Sequence, residues 1–70
     1  MTRGDRAVVV KSWHTDIGPG VEGTIVRRRR RGYEIEITGM FSNALGTRAI
    51  ETRVLFFSAK ELNRARPKLS

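Results

Sequence analysis

The sequence predicts an all-β fold, a small barrel of four to five strands with a short helical turn near residues 59–64. Two features point to it: β-branched segments separated by glycine-containing loops, and the strict alternation of YEIEIT over residues 33–38. That alternation is typical of a strand that has one buried face and one solvent-exposed face, with the glutamates on the exposed face. A flat four-stranded sheet in a 70-residue chain leaves one face uncovered, so closure into a barrel is expected.

The predicted elements follow from local sequence. Gly18-Pro19-Gly20 interrupts the chain within a first long loop, and Gly32 precedes the third strand, where a tight hairpin tolerates positive φ. Ser58 and Glu61 form an S-x-x-E capping box, which starts the helical turn. The strands are predicted at residues 7–11, 21–28, 33–38 and 48–57, with loops at 12–20 and 39–47.

One domain is predicted over residues 1–63, followed by a basic, frayed tail at 64–70. The alternation in each strand assigns ten apolar side chains to the core. These are Val8, Val10, Val21, Ile25, Ile35, Ile37, Ile50, Val54, Phe56 and Leu62.

Composition narrows the function. The chain has no cysteine and no apolar run near the roughly 18 residues of a membrane span, so a cytoplasmic protein with no membrane partner is expected. The formal net charge is +7, and five of these charges come from the consecutive residues Arg27–Arg31. A focused basic patch is typical of a protein with an anionic partner.

Three segments together resemble a known family: GDRAVVV at 4–10, GVEGTIV at 20–26 and YEIEI at 33–37. They are similar to the small Src-homology-3-like barrels of bacteria, which include KOW-type domains and electron-transport accessory proteins. Residues 54–62, VLFFSAKEL, resemble the closing strand and turn of the nitrile hydratase β-subunit barrel. The resemblance implies a fold and not one function, because the family includes nucleic-acid binders, subunit-packing domains and adaptors.

The arginine run is the first candidate site. Five guanidinium groups at a hairpin repel one another, and phosphates relieve that repulsion through bidentate contacts. The leading hypothesis is a binding module that contacts DNA or RNA electrostatically; a solvated hairpin or an acidic protein partner are the alternatives. The candidate nucleic-acid-binding residues are Arg27, Arg28, Arg29, Arg30, Arg31, Arg48, Arg53, Arg64, Arg66 and Lys68.

The second hypothesis is a protein-interaction adaptor or accessory subunit that binds an apolar protein surface, with a homo-oligomer as a further alternative. An exposed tryptophan can bind a partner, or it can fold back over the end of the barrel. The apolar loop at 40–45 can likewise bind a partner or cover the end of the barrel. The candidate residues are Trp13, His14, Met40, Phe41 and Leu45.

Catalysis is not expected. No serine has an evident base partner in the sequence, and Glu34 and Glu36 are expected on a solvent-exposed strand face. A small barrel also has little volume for a substrate pocket. No metal is expected, because His14 is the single histidine and no cysteine accompanies it. No cofactor motif is present either, since Gly18-Pro19-Gly20 lacks the helix and lysine of a phosphate-binding loop.

Overall fold

The computed structural model, which describes residues 1–65, confirms the all-β class. Five antiparallel strands form one sheet in the order β4-β3-β2-β1-β5, and a 3₁₀ turn, Ala59–Glu61, lies between β4 and β5. The strands are β1 (Arg6–Val9), β2 (Glu22–Arg29), β3 (Gly32–Ser42), β4 (Arg48–Ser58) and β5 (Leu62–Arg64). Residues 1–65 contain no helix with the length and apolar character of a membrane-spanning helix.

Strand β3 is longer than predicted. The prediction of a loop at 39–47 is therefore wrong for its first four residues, which belong to the strand. The two-residue alternation continues past Gly39, and Phe41 is buried on the same face as Ile37. The turn itself is short. The Asn43 side-chain Oδ1 accepts hydrogen bonds from the backbone N–H groups of Leu45, at 2.9 Å, and Thr47, at 3.0 Å.

The buried core only partly matches the predicted set. Ile25, Ile35, Ile37 and Leu62 are buried as expected, and Val21 packs against them half-buried. The complete buried set within the described residues is Ala7, Val9, Ile17, Ile25, Ile35, Ile37, Phe41, Phe57 and Leu62.

The predicted core face of β1 is wrong. Ala7 and Val9 are buried, whereas Val8 is half-buried and Val10 is exposed. The pairing decides this, because Ala7 lies opposite the buried Gly23 of β2. Since residues 7–10 are all apolar, their alternation alone could not show which face is buried.

The predicted core face of β4 is also wrong. The register places Leu55 opposite Ile35 and Arg53 opposite Ile37, so the odd-numbered residues of β4 lie on the core side and Phe57 is buried. The predicted face followed the shared parity of three apolar residues, but residues 54–57 are apolar at both parities and leave the buried face undecided. The three residues predicted to be buried are exposed on the outer face: Ile50, Val54 and Phe56.

The predicted helical turn ends earlier than expected. The Glu61 carboxylate accepts hydrogen bonds from the Ser58 backbone N–H and hydroxyl, both at 2.9 Å, which confirms the capping box. The capping box fixes only this first turn. Leu62–Arg64 instead pairs with β1 as β5, which buries Leu62 and extends the sheet one residue past the predicted boundary.

Gly32 has a different role from the predicted one. Among the described residues the positive-φ glycines are Gly4, Gly20 and Gly46, so Gly32 does not serve the hairpin through a left-handed conformation. A Cβ at Gly32 would collide with the Phe57 carbonyl oxygen and lie 2.7 Å from the Ser58 Cα. The missing side chain therefore lets β3 approach β4 closely.

Replacing Gly32 by alanine should lower the free energy of unfolding by about 1–3 kcal/mol, because the colliding atoms belong to backbone that cannot move independently. Gly39→Ala is the matched control. Gly39 lies on the same strand with no atom within 4 Å of its Cβ position, so that change should be neutral or slightly stabilising. Urea denaturation measures both. Equal stability of the two variants would contradict the close approach of β3 to β4.

Candidate nucleic-acid interface

The five arginines form the tip of the β2–β3 hairpin. Arg29 pairs with Gly32, so Arg30 and Arg31 make a two-residue turn. All of Arg27–Arg31 is exposed. We call this segment the arginine tip.

An irregularity in β2 distributes the tip over both faces of the sheet. The register shifts between Ile25 and Arg27, as a β-bulge does, and beyond the shift Arg27 lies opposite Glu34 and Arg28 opposite Tyr33. Since odd-numbered residues of β3 lie on the core side, Arg28 lies on that side and Arg27 on the outer side. The guanidinium groups can therefore spread around the hairpin.

One arginine of the tip is neutralised within the protein. The Arg29 Nε lies 2.8 Å from Glu34 Oε2, in an ion pair with a half-buried carboxylate. Glu34 was predicted to face water and is instead half-buried, whereas Glu36 is exposed as predicted. Within residues 1–65 the other four tip residues form no ion pair: Arg27, Arg28, Arg30 and Arg31.

Two lysines that the sequence analysis did not single out lie next to the 3₁₀ turn, and one of them is beside the tip. The Ala59 N–H donates to the Arg31 carbonyl at 3.4 Å, which places the next residue, Lys60, beside the turn. The Glu61 carbonyl in turn accepts from the Lys11 N–H at 3.4 Å. Both lysines are exposed. Lys60 therefore adds a positive charge beside the turn, whereas Lys11 lies at the other end of the 3₁₀ turn.

Two predicted contributors from β4 lie away from the tip. Arg48 pairs with Ser42, ten residues along β3 from Gly32, or about 33 Å at the usual rise of a strand. Arg53 is half-buried on the core side. Its guanidinium carbon lies 4.5 Å from the centroid of the Phe41 ring, and its Nη2 lies 3.0 Å from Glu51 Oε2.

The remaining predicted basic residues are also not gathered at the tip. Arg64 pairs with Ala7 in the sheet, and its Nη2 lies 3.6 Å from Asp5 Oδ2. Arg66 and Lys68 lie outside the described residues. The candidate interface is therefore smaller than the sequence predicted and is made of the arginine tip with Lys60.

Trp13 folds back onto β4. Its Nε1–H donates to the Phe56 carbonyl at 3.0 Å, and its ring centroid lies 5.8 Å from that of Phe57, although the residue is 57% exposed. The half-buried His14 meets the Phe41 ring edge-on, with centroids 5.8 Å apart. Both candidate partner-binding residues thus have contacts within the fold.

Asp16 ties the Trp13 loop to the end of β3. Its carboxylate accepts hydrogen bonds from the Ser42 backbone N–H at 3.0 Å and from the Ser42 hydroxyl at 3.3 Å. The backbone hydrogen bond is the main cause that lowers the pKa of Asp16 below its ordinary value of 3.8. Asp16 therefore holds the loop most strongly in its ionised form.

The candidate docking residues at 40–45 do not form one surface. Phe41 is 1% exposed and belongs to the core, Met40 is exposed on the outer face of β3, and Leu45 is 89% exposed in the turn. Phe41, the largest side chain of this set, cannot contact a partner in this fold.

Residues 1–65 contain no group of three histidine, aspartate or glutamate residues placed to hold a metal ion.

Comparison of the chain with protein-family models, with curated proteins and with solved structures gives no match.

Proposed function

We propose that this protein is a non-catalytic module that binds nucleic acid through the arginine tip. One observation carries the proposal. Four exposed arginines at and next to a two-residue turn have no acidic partner within residues 1–65, and they lie within five consecutive positions. The other described arginines without an ion pair, Arg3 and Arg48, stand singly in the sequence.

The chemistry of this cluster favours phosphate. Neighbouring guanidinium groups raise the local positive potential, and an anionic backbone lowers that energy while releasing its condensed counterions. The planar fork of arginine matches two phosphate oxygens at once. Contacts of this kind position a protein on nucleic acid without distinguishing bases, so we expect weak dependence on sequence.

The adaptor hypothesis has less support. Phe41 is buried in the core and cannot belong to an apolar docking surface, and the indole N–H of Trp13 already donates a hydrogen bond to the Phe56 carbonyl of β4. Met40 and Leu45 remain exposed, Trp13 is 57% exposed, and Met40 lies opposite the exposed Ile50 on the outer face. This apolar surface keeps the adaptor as the second candidate function. The resemblance to Src-homology-3-like barrels, and barrel closure with it, stays a prediction.

A salt titration tests the proposal. If all four unpaired arginines contact phosphate on duplex DNA, the logarithm of the binding constant should fall with the logarithm of the salt concentration at a slope of about 3.6. Affinity should then drop about 100-fold between about 50 and 200 mM salt, and the slope on single strands should be about 2.8. Fluorescence anisotropy with labelled oligonucleotides of unrelated sequence measures this. Absence of binding at the lowest salt concentration would contradict the proposal.

A further inference from the structure

Strand β4 has an open edge. It pairs with β3 on one side, and within the described residues no strand pairs with its other side. In the turn, the Asn43 N–H donates to the Thr47 carbonyl at 2.9 Å, which makes the odd-numbered residues of β4 the ones that exchange hydrogen bonds with β3. The even-numbered residues therefore direct their N–H and C=O groups to the open edge.

Trp13 limits how far this edge extends. Its Nε1–H donates to the carbonyl of Phe56, an even-numbered residue, which agrees with the assigned direction and closes the edge at that point. The remaining edge residues include Ile50, Thr52 and Val54. Ile50 is 74% exposed and Val54 is also exposed, and residues 50–54 contain no lysine, proline or bulge. The charged side chains that could protect this edge are Glu51 and Arg53, which are of opposite sign.

The sequence of this edge is complementary to itself. Residues 50–54 read IETRV, an apolar residue, an acid, a threonine, a base and an apolar residue. In an antiparallel pair of two copies centred on Thr52, Ile50 lies opposite Val54 of the second copy and Glu51 lies opposite Arg53. A centre one residue away on either side would instead put Glu51 opposite Glu51 or Arg53 opposite Arg53, and like charges in that position are destabilising.

The charged pair is already positioned for such a contact. Arg53 is fixed over the Phe41 ring at 4.5 Å and pairs with Glu51 of its own strand at 3.0 Å. Pairing of two copies would join the two ion pairs into one network of four charges at the centre of the contact.

We propose that two copies of this chain pair edge to edge through residues 50–54 of β4, antiparallel and about a two-fold axis at Thr52. The two five-stranded sheets become continuous across this contact. The contact is isologous, with each copy contributing the same residues. Because only three residues of each copy offer backbone groups, the interface is small and the dimer should be weak. This inference does not depend on nucleic-acid binding.

The first test removes the central backbone donor. In Thr52→Pro the N–H that faces the open edge is lost, and proline is tolerated on edge strands in this orientation. Thr52→Val is the matched control, since it keeps the N–H while losing the same hydroxyl contact to Thr38. By sedimentation velocity from about 1 μM to 1 mM, the wild type and Thr52→Val should approach twice the monomer mass and Thr52→Pro should stay monomeric. A monomeric wild type at the highest concentration overturns the proposal.

The second test uses charge reversal and does not depend on the first. Glu51→Arg places arginine opposite arginine, and Arg53→Glu places glutamate opposite glutamate, so each variant alone should be monomeric. Mixed together they should form a heterodimer, because each arginine then faces a glutamate of the other chain while neither chain regains its internal ion pair. Circular dichroism shows whether each variant is folded. Dimers of either single variant, or no heterodimer from two folded variants, overturn the proposed register.

Discussion

Replacing Phe41 by alanine is expected to cost about 3–5 kcal/mol of stability, as removal of a buried phenylalanine usually does. The ring is 1% exposed, meets His14 edge-on at 5.8 Å and lies under the guanidinium of Arg53 at 4.5 Å. A 70-residue domain at about 0.05–0.15 kcal/mol per residue has about 4–10 kcal/mol in total. The variant should therefore lose a large part of the stability of the domain and melt at a much lower temperature.

Leu45→Ala provides the control for this experiment. Leu45 belongs to the same predicted apolar loop but is 89% exposed, so its removal should change stability by no more than about 0.5 kcal/mol. Thermal melting followed by circular dichroism compares the two variants. If Phe41→Ala melts like the wild type, β3 does not extend to Ser42 and Phe41 is available to a partner after all.

The sequence predicted the fold well where polar and apolar residues alternate. Over residues 33–38 the glutamates mark the outer face, so Ile35 and Ile37 were assigned correctly to the core. In β1 and the second half of β4, consecutive apolar residues leave the buried face undecided. Pairing with neighbouring strands decides it there, and pairing is a long-range property that local alternation does not contain.

The exposure of Ile50, Val54 and Phe56 on β4 has a physical explanation that the sequence pattern does not reveal. Pairing with β3 places Glu51 and Arg53 on the core side although both are charged, and the Arg53 guanidinium covers the Phe41 ring there. The aliphatic and planar parts of arginine pack well against an aromatic side chain. This placement is what exposes Ile50 and Val54 beside the open edge.

The candidate site was only partly predictable. Five consecutive arginines beside Gly32 located the tip, but the bulge in β2 and the ion pair of Arg29 with Glu34 decide which of them are unpaired. Lys60 lies beside the tip because the N–H of the preceding residue, Ala59, donates to the Arg31 carbonyl. No local pattern around Lys60 indicates that contact.

The central claim predicts a large effect from a triple substitution in the tip. In Arg28→Ser/Arg30→Ser/Arg31→Ser, three of the four unpaired guanidinium groups are removed. The salt slope on duplex DNA should fall by about 2.7, since each phosphate contact contributes about 0.9. The loss of affinity between about 50 and 200 mM salt should shrink from about 100-fold to about 4-fold. Stability should change little because the three side chains are exposed.

A second triple variant separates a localised site from a general effect of charge. Arg6→Ser/Arg48→Ser/Arg64→Ser lowers the formal net charge of +7 by the same three units, at positions outside the tip that lie opposite Thr24, Ser42 and Ala7. The most direct measurement is the difference in salt slope between the two variants, by fluorescence anisotropy on one labelled duplex. The tip variant should lose about 2.7 from its slope while the second variant keeps a slope close to that of the wild type. Equal slopes in the two variants would contradict binding through the arginine tip.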